Sequence, residues 1–271
     1  MKKRVIAAVV LIPLLLLLAL VAPEWIAAVA MGLLLSIAVY EMLYRTGIIR
    51  HTRLLLYSMV MAFAVTMWSY LGAIHAYLQL LMLVFIVLLF AEMMMDHVKV
   101  RFEMLGASFL GGFLMPYLLS SLVRILTMGI GRYVVLVPFV VAFASDAGAY
   151  FVGLRFGKHK LAPVVSPNKT IEGALGGIVV AMLGMLLYAL VLDLIPGGFR
   201  VNYPLALLYG LVGSLAGMFG DLCFSVIKRQ TGIKDYGNLI PGHGGVLDRF
   251  DSLMTVAPLM EALLLLAPMV M

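Results

Sequence analysis

The sequence predicts an all-α, polytopic integral membrane protein: a helical bundle of about nine transmembrane helices with a cytoplasmic N-terminus. Three observations predict it. Apolar residues make up 64% of the 271-residue chain and charged residues only 12%, against about 25% charged in an ordinary soluble domain. Mean hydropathy is +1.13, and a soluble globule could not hide that much apolar surface. The apolar residues also run in stretches of about 20, the length that crosses a bilayer as a helix. Helices satisfy their own backbone groups, as lipid requires. The same composition excludes disorder, collagen and coiled coil, and the single cysteine, Cys223, excludes an intrachain disulfide scaffold.

In chain order the expected spans are 5–23, 26–44, 54–74, 77–95, 104–123, 133–154, 172–192, 204–227 and 252–271. Met1-Lys2-Lys3-Arg4 precedes the first. It resembles the charged start of a signal peptide, but the apolar run behind it outlasts the 7–15 or so residues of a signal core. A retained helix is therefore expected. With the N-terminus cytoplasmic, sixteen of the 19 Lys and Arg residues fall on that side, and only Arg124, Arg132 and Arg200 on the other. This positive-inside asymmetry supports the orientation and a multi-pass location in the cytoplasmic (inner) membrane. The net charge of +6 then reports topology and contact with anionic headgroups. Nucleic-acid binding is not expected, because no basic helix or basic-aromatic array is present.

The organisation expected is one membrane domain, 1–271. Its first part, 1–131, is mostly Leu, Met, Ala and Val. Its second part, 132–271, carries nearly all the unusual polar chemistry, including two long cytoplasmic loops at about 155–171 and 228–251.

Two carboxylates lie inside expected spans: Asp146, in Phe143-Ala144-Ser145-Asp146-Ala147-Gly148, and Asp221, in Gly217-Met218-Phe219-Gly220-Asp221. A carboxylate at mid-bilayer costs about 2.5–3.5 kcal/mol on insertion scales, so such residues face a cavity or a partner. One isolated acid reads equally well as a structural hydrogen-bonding group. Two near one membrane face, beside two basic loops, favour function. At 100° per residue, Gly210, Gly213, Ser214, Gly217, Gly220, Asp221 and Ser225 share one broad stripe. Small residues let helices approach closely, so the stripe faces protein and Asp221 points inward. Lys228 continues that face.

The loop behind Asp221 holds Lys228, Arg229, Lys234 and Arg249, a flexible Gly242-His243-Gly244-Gly245 stretch, and the carboxylates Asp248 and Asp251. On a helix those two acids would share a face. Hard oxygen ligands suit Mg²⁺, which takes one or two carboxylates plus substrate phosphates. Lys and Arg bind phosphate, and glycine lets backbone N–H groups approach an anion. A solvated basic loop accounts for the cations but not for the acids and glycines. The earlier loop ends in Ser166-Pro167-Asn168-Lys169-Thr170, which reads as a helix start near Thr170, and a helix N-terminus beside a lysine suits an anion. His51, His75, His97 and His159 read as structural or interfacial, whereas His243, among glycines and near carboxylates, is a site candidate. There is no zinc pattern, Walker A sequence, GxGxxG or Asp-Gly dipeptide.

The run Ser225-Val226-Ile227-Lys228-Arg229, Lys234-Asp235, Pro241-Gly242-His243-Gly244-Gly245-Val246-Leu247-Asp248-Arg249-Phe250-Asp251 resembles the hallmark of the phosphatidate cytidylyltransferases, or CDP-diglyceride synthases. It follows S-x-x-K-R-x4-K-D, then P-G-H-G-G-x-x-D-R-x-D, without departure at a charged position. Asp146 to Tyr150, Phe156-Gly157-Lys158, and Ser166-Pro167, Lys169-Thr170 and Glu172-Gly173 resemble further family segments in the same order. In the first half the resemblance extends only to hydropathy and size.

The resemblance implies CTP + phosphatidate → CDP-diacylglycerol + pyrophosphate, in a membrane enzyme that depends on Mg²⁺ and forms a homodimer among membrane lipids. Asp221 and Asp248 are the first choices for Mg²⁺, with Asp146 and Asp251 next and a second cation, K⁺ or another divalent ion, as an open extension. Lys169, Lys228 and Arg229 are expected on phosphates, with Ser166, Asn168 and Arg249 as further substrate-binding candidates. His243 is expected near phosphate or a metal-bound water. The rival reading is a secondary transporter of an anionic or proton-coupled solute, which intramembrane aspartates would also suit. It lacks the internal repeat that commonly points to such a site.

Overall fold

The structure is a computed structural model, and it describes residues 9, 11–72, 74–195, 200–240, 242 and 244–270. Among them, seven helices are long and apolar enough to cross a membrane. In chain order the elements are α1 Leu11–Val21, α2 Glu24–Arg45, α3 Thr52–Leu71, α4 His75–Met95, α5 Phe102–Leu126 and α6 Gly131–Phe156. A hairpin follows, β1 Lys160–Ala162 against β2 Ser166–Thr170. Then come α7 Ile171–Asp193, α8 Tyr203–Gln230, the single turn α9 Leu247–Phe250 and α10 Leu253–Leu266. The all-α membrane fold is as the sequence predicts.

The two terminal spans differ from the expectation. The first falls partly outside the described residues, and its described part is the short helix α1. The expected span 252–271 contains a helix of only 14 residues, α10. At 1.5 Å per residue this reaches about 21 Å, short of the ~30 Å hydrocarbon layer. Its end has a local cause: Ala267, non-helical at φ −145 and ψ 68, precedes Pro268, and a proline disfavours helical backbone in the residue before it.

The chain forms two compact units. The first is Met1–Gly129 with Lys228–Phe250, so the loop behind α8 groups with the N-terminal helices. Within it α2 and α3 lie close: a Cβ on Gly32 would meet the Phe63 ring at 2.8 Å, and Ser36 donates across to the Met59 carbonyl at 2.9 Å. Helix α5 is interrupted by a π-helical turn at Leu110–Leu114, where Gly112 lies against Ser58 of α3. Helix α2 ends in a second π-helical turn, Glu41–Arg45.

The second unit is Ile130–Ile227 with Asp251–Met271. Here α6 and α7 pack tightly through glycine, since a Cβ on Gly148 would lie 2.6 Å from Val180 Cβ. The small-residue stripe of α8 is the packing face that helical spacing predicts. Gly210 abuts the Met182 backbone of α7, Gly213 meets Val141 and Met260, and Gly217 meets Val256 of α10. Ser214 hydrogen-bonds Ser145 of α6 at 2.7 Å. Residues 155–171, read from sequence as a plain loop, contain the β1–β2 hairpin. Helix α7 begins as expected, with Thr170 as its N-cap accepting from the Gly173 N–H at 3.1 Å, which satisfies one of the helix's unpaired donors.

Candidate active site

The predicted site residues fall into two clusters, one in each unit. In the second unit, Lys169 sits at the end of β2, one residue before the N-cap of α7. Its ammonium is ion-paired with the Asp221 carboxylate of α8, and the Ser225 hydroxyl donates to the other Asp221 oxygen at 3.4 Å. Beside the lysine lies a cavity of about 200 Å³ whose lining includes Asp146, Tyr150, Asn168, Lys169, Thr170 and Met218. Asp146 is exposed on α6. The structure therefore brings Asp146, Asn168, Lys169 and Asp221 to one place, as their sequence segments suggest. Ser166 begins β2, paired in register with Ala162, and is not part of the cavity lining. The hairpin is tied to α7 by Glu172, which accepts from the Lys158 N–H at 3.0 Å and pairs with His159 Nδ1 at 2.6 Å.

In the first unit, the loop behind α8 is folded around Asp248. Lys228 Nζ donates to Asp248 Oδ1 at 3.1 Å. The backbone N–H groups of Tyr236 and Gly245 each donate to Oδ2 at 2.9 Å. The Lys228 ammonium also lies 5.4 Å from the Tyr236 ring centroid, within reach of a cation–π interaction. A carboxylate offers about four acceptor sites, and these three hydrogen bonds leave room for little more. A second cavity, about 560 Å³, is lined by this loop, including Lys234, Asp235, Asn238, Gly244 and Arg249. Arg229 is exposed at the end of α8.

One expectation about this loop comes out differently. Asp248 and Asp251 do not share a helix: α9 stops at Phe250 and Asp251 lies in the turn that follows. Asp251 Oδ1 accepts from the Ser252 N–H at 2.8 Å, a local side-chain bond that competes with continued helix. His243 and Pro241 lie outside the described residues.

Among the described residues, no group of three or more His, Cys, Asp or Glu side chains forms a metal cage. The arrangement beside Lys169 fits a different kind of cation site. Mg²⁺ takes one or two carboxylates and completes its shell with water and substrate phosphate, and Asp146 and Asp221 could supply two hard oxygen donors beside Lys169.

Glu41 escaped the sequence reading. It lies in the π-helical turn of α2, is only 3% exposed, and accepts from the Leu247 N–H at 2.9 Å. A carboxylate inside an apolar run is the same signal that drew attention to Asp146 and Asp221, and it was available at Glu41.

The phosphatidate cytidylyltransferase of Staphylococcus haemolyticus is 45% identical to this chain over 135 residues, which span 50% of each protein. The protein of that name from Staphylococcus epidermidis is 48% identical over 134 residues, 49% of each, and that from Staphylococcus aureus 45% identical over 135, 50% of each. The chain thus spans about half the length of the curated relatives it matches. A family model described as "Cytidylyltransferase family" matches residues 2–267, nearly the whole sequence. The chain belongs to the cytidylyltransferase family.

Proposed function

We propose that this protein is a CTP:phosphatidate cytidylyltransferase that converts CTP and phosphatidate to CDP-diacylglycerol and pyrophosphate at the cytoplasmic face of the inner membrane. The observation that carries the reading is the Ser225–Asp251 stretch: it follows the family hallmark at every charged position, and its described part folds as an ordered loop around Asp248. Family membership leaves the transporter reading without support. The sixteen cations that the nine-span reading of the sequence puts on the loop side of the membrane support the orientation. Assembly as a homodimer rests on the resemblance alone.

The chemistry follows from the charges. A phosphate oxygen of phosphatidate attacks the α-phosphorus of CTP. The bond from that phosphorus to the bridging β-phosphate oxygen breaks, and pyrophosphate leaves with the electron pair. The nucleophile is already an anion, so no protein nucleophile is needed. The protein's task is to hold two polyanions together and neutralise the charge that builds up between them. Lys169 is positioned to exchange the Asp221 carboxylate for a phosphate. Asn168 lines the same cavity, and Ser166 begins the strand that carries both. Lys228, Arg229 and Arg249, with His243, act on the nucleotide phosphates in this reading. Asp221 and Asp146 are the residues that would hold Mg²⁺, with Asp251 as a further candidate and K⁺ or a second divalent ion as an accompanying cation; Asp248, whose oxygens already take Lys228 and two backbone N–H groups, would order its loop. Such a cation supplies electrostatic stabilisation of the pentavalent phosphorus and of the leaving pyrophosphate.

Turnover by the purified chain in detergent tests the reading. With phosphatidate, cytosine-labelled CTP and Mg²⁺, label is expected in the lipid extract with equimolar pyrophosphate, and EDTA is expected to abolish both. Folded protein that yields no lipid label with any of several divalent ions, with and without K⁺, would overturn it.

A further inference from the structure

The end of α2 grips the loop behind α8 at two points. Its π-helical turn, Glu41–Arg45, presents one carboxyl group and one guanidinium. Glu41 Oε2 accepts from the Leu247 N–H at 2.9 Å, across 206 residues of sequence. The loop crowds the same carboxylate with Gly237 and Gly245: a Cβ on either would collide with it. Arg45 Nη2 donates to Asn238 Oδ1 at 2.8 Å. Guanidinium only donates, so the contact fixes which end of the Asn238 amide faces it. Between these grips runs the stretch that lines the 560 Å³ cavity with Asn238, Ile240, Gly242 and Gly244.

A buried carboxylate needs a reason. Glu41 is almost fully enclosed, and leaving an ionisable group there costs free energy unless it is hydrogen-bonded. The other buried residues of α2, Leu35, Ala38 and Val39 among them, are apolar or glycine. π-helical turns cost helix regularity and concentrate at functional sites. What Glu41 does have is the loop backbone. Without an outside anchor, a segment with left-handed glycines at 232, 242 and 244 has few side chains to hold its shape.

We propose that Glu41 and Arg45 are positioning residues: the π-helical end of α2 is a two-point clamp that sets the conformation of residues 235–240 and 244–248 and thereby the wall of the loop cavity and the presentation of Lys228 and Asp248. As a statement about catalysis this rests on the cytidylyltransferase reading; as a statement about the loop it does not.

The test is amide hydrogen exchange on the full chain in detergent, read beside CTP kinetics, for Glu41→Leu, Glu41→Gln and Arg45→Met. Glu41→Leu keeps the bulk and removes the acceptor, so exchange across 235–240 and 244–248 is expected to quicken about ten- to a hundredfold, the cost of leaving a buried donor unsatisfied. Exchange in α3 and α4 is expected to stay unchanged. Glu41→Gln keeps an acceptor oxygen and is expected to rescue most of the protection. kcat/KM for CTP is expected to fall in the same order, Leu below Gln below wild type. Arg45→Met is expected to loosen the Asn238 side of the loop alone. If Glu41→Leu does not accumulate as folded protein, the Gln and Met variants decide. Unchanged loop exchange, or quickening spread evenly over α3 and α4, overturns the clamp. A wild-type protein without cytidylyl transfer would fail the functional reading instead, and the exchange measurement would still decide the clamp.

Discussion

Lys169–Asp221 and Lys228–Asp248 are the same pair of side chains set in two different ways. The second pair is nearly closed, with side-chain exposures of 12% and 4%, and its carboxylate also takes two backbone N–H groups. The first is more open, at 27% and 24%, with a cavity at its side that Asp146 and Asn168 help to line. An ion pair that is buried and multiply hydrogen-bonded is costly to break, because it strands a charge. A pair about a quarter exposed is screened by solvent and held less firmly, and can exchange partners more readily. The difference teaches that opposite charges in one motif set need not share one job. Asp248 organises the loop, whereas in the proposed reaction Asp221 and Lys169 would exchange each other for a cation and a phosphate.

Each variant below probes that contrast. The largest effect is expected for Asp248→Asn, which should lose turnover and about 3 kcal/mol of stability, seen as a clearly lowered thermal midpoint in detergent. A stable Asp248→Asn would break the comparison. Asp221→Asn should lose at least about a hundredfold in kcat, as removal of one transition-state electrostatic partner does, with the midpoint unmoved. Destabilisation equal to that of Asp248→Asn would mean that both pairs are structural. The smallest effect is expected for Ser214→Ala, which deletes the buried bond to Ser145, the residue before Asp146. Interhelical bonds of this kind in membranes average about 0.6 kcal/mol. Near-normal kcat with a slightly lowered midpoint would sharpen the picture by separating helix packing from the acid beside it.

Much of this was legible in the sequence because it depends on local pattern. Apolar runs gave seven full-length spans, and the spacing of Gly210, Gly213 and Gly217 gave the packing face of α8. Asp146 and Asp221 stood out by their cost in lipid. What stayed hidden depends on long-range closure. The bond from Leu247 to Glu41 joins positions 206 apart, and no periodicity reports it. The stop of α9 before Asp251 turns on a side chain bonding its neighbour's backbone rather than sustaining a helix. The shortness of α10 turns on a single X-Pro step that hydropathy ignores. The hairpin at 160–170 is too brief, and its alternation too weak, to compete with the reading as a loop.

The central claim is that this chain transfers a cytidylyl group to a lipid phosphate. The most direct measurement is a paired incubation of the purified protein with phosphatidate, Mg²⁺ and CTP carrying ³²P at either the α or the γ position. The account predicts α-label in the lipid extract and γ-label in pyrophosphate, in equal amounts. γ-label in the lipid, or no label in the lipid from either nucleotide, would contradict it.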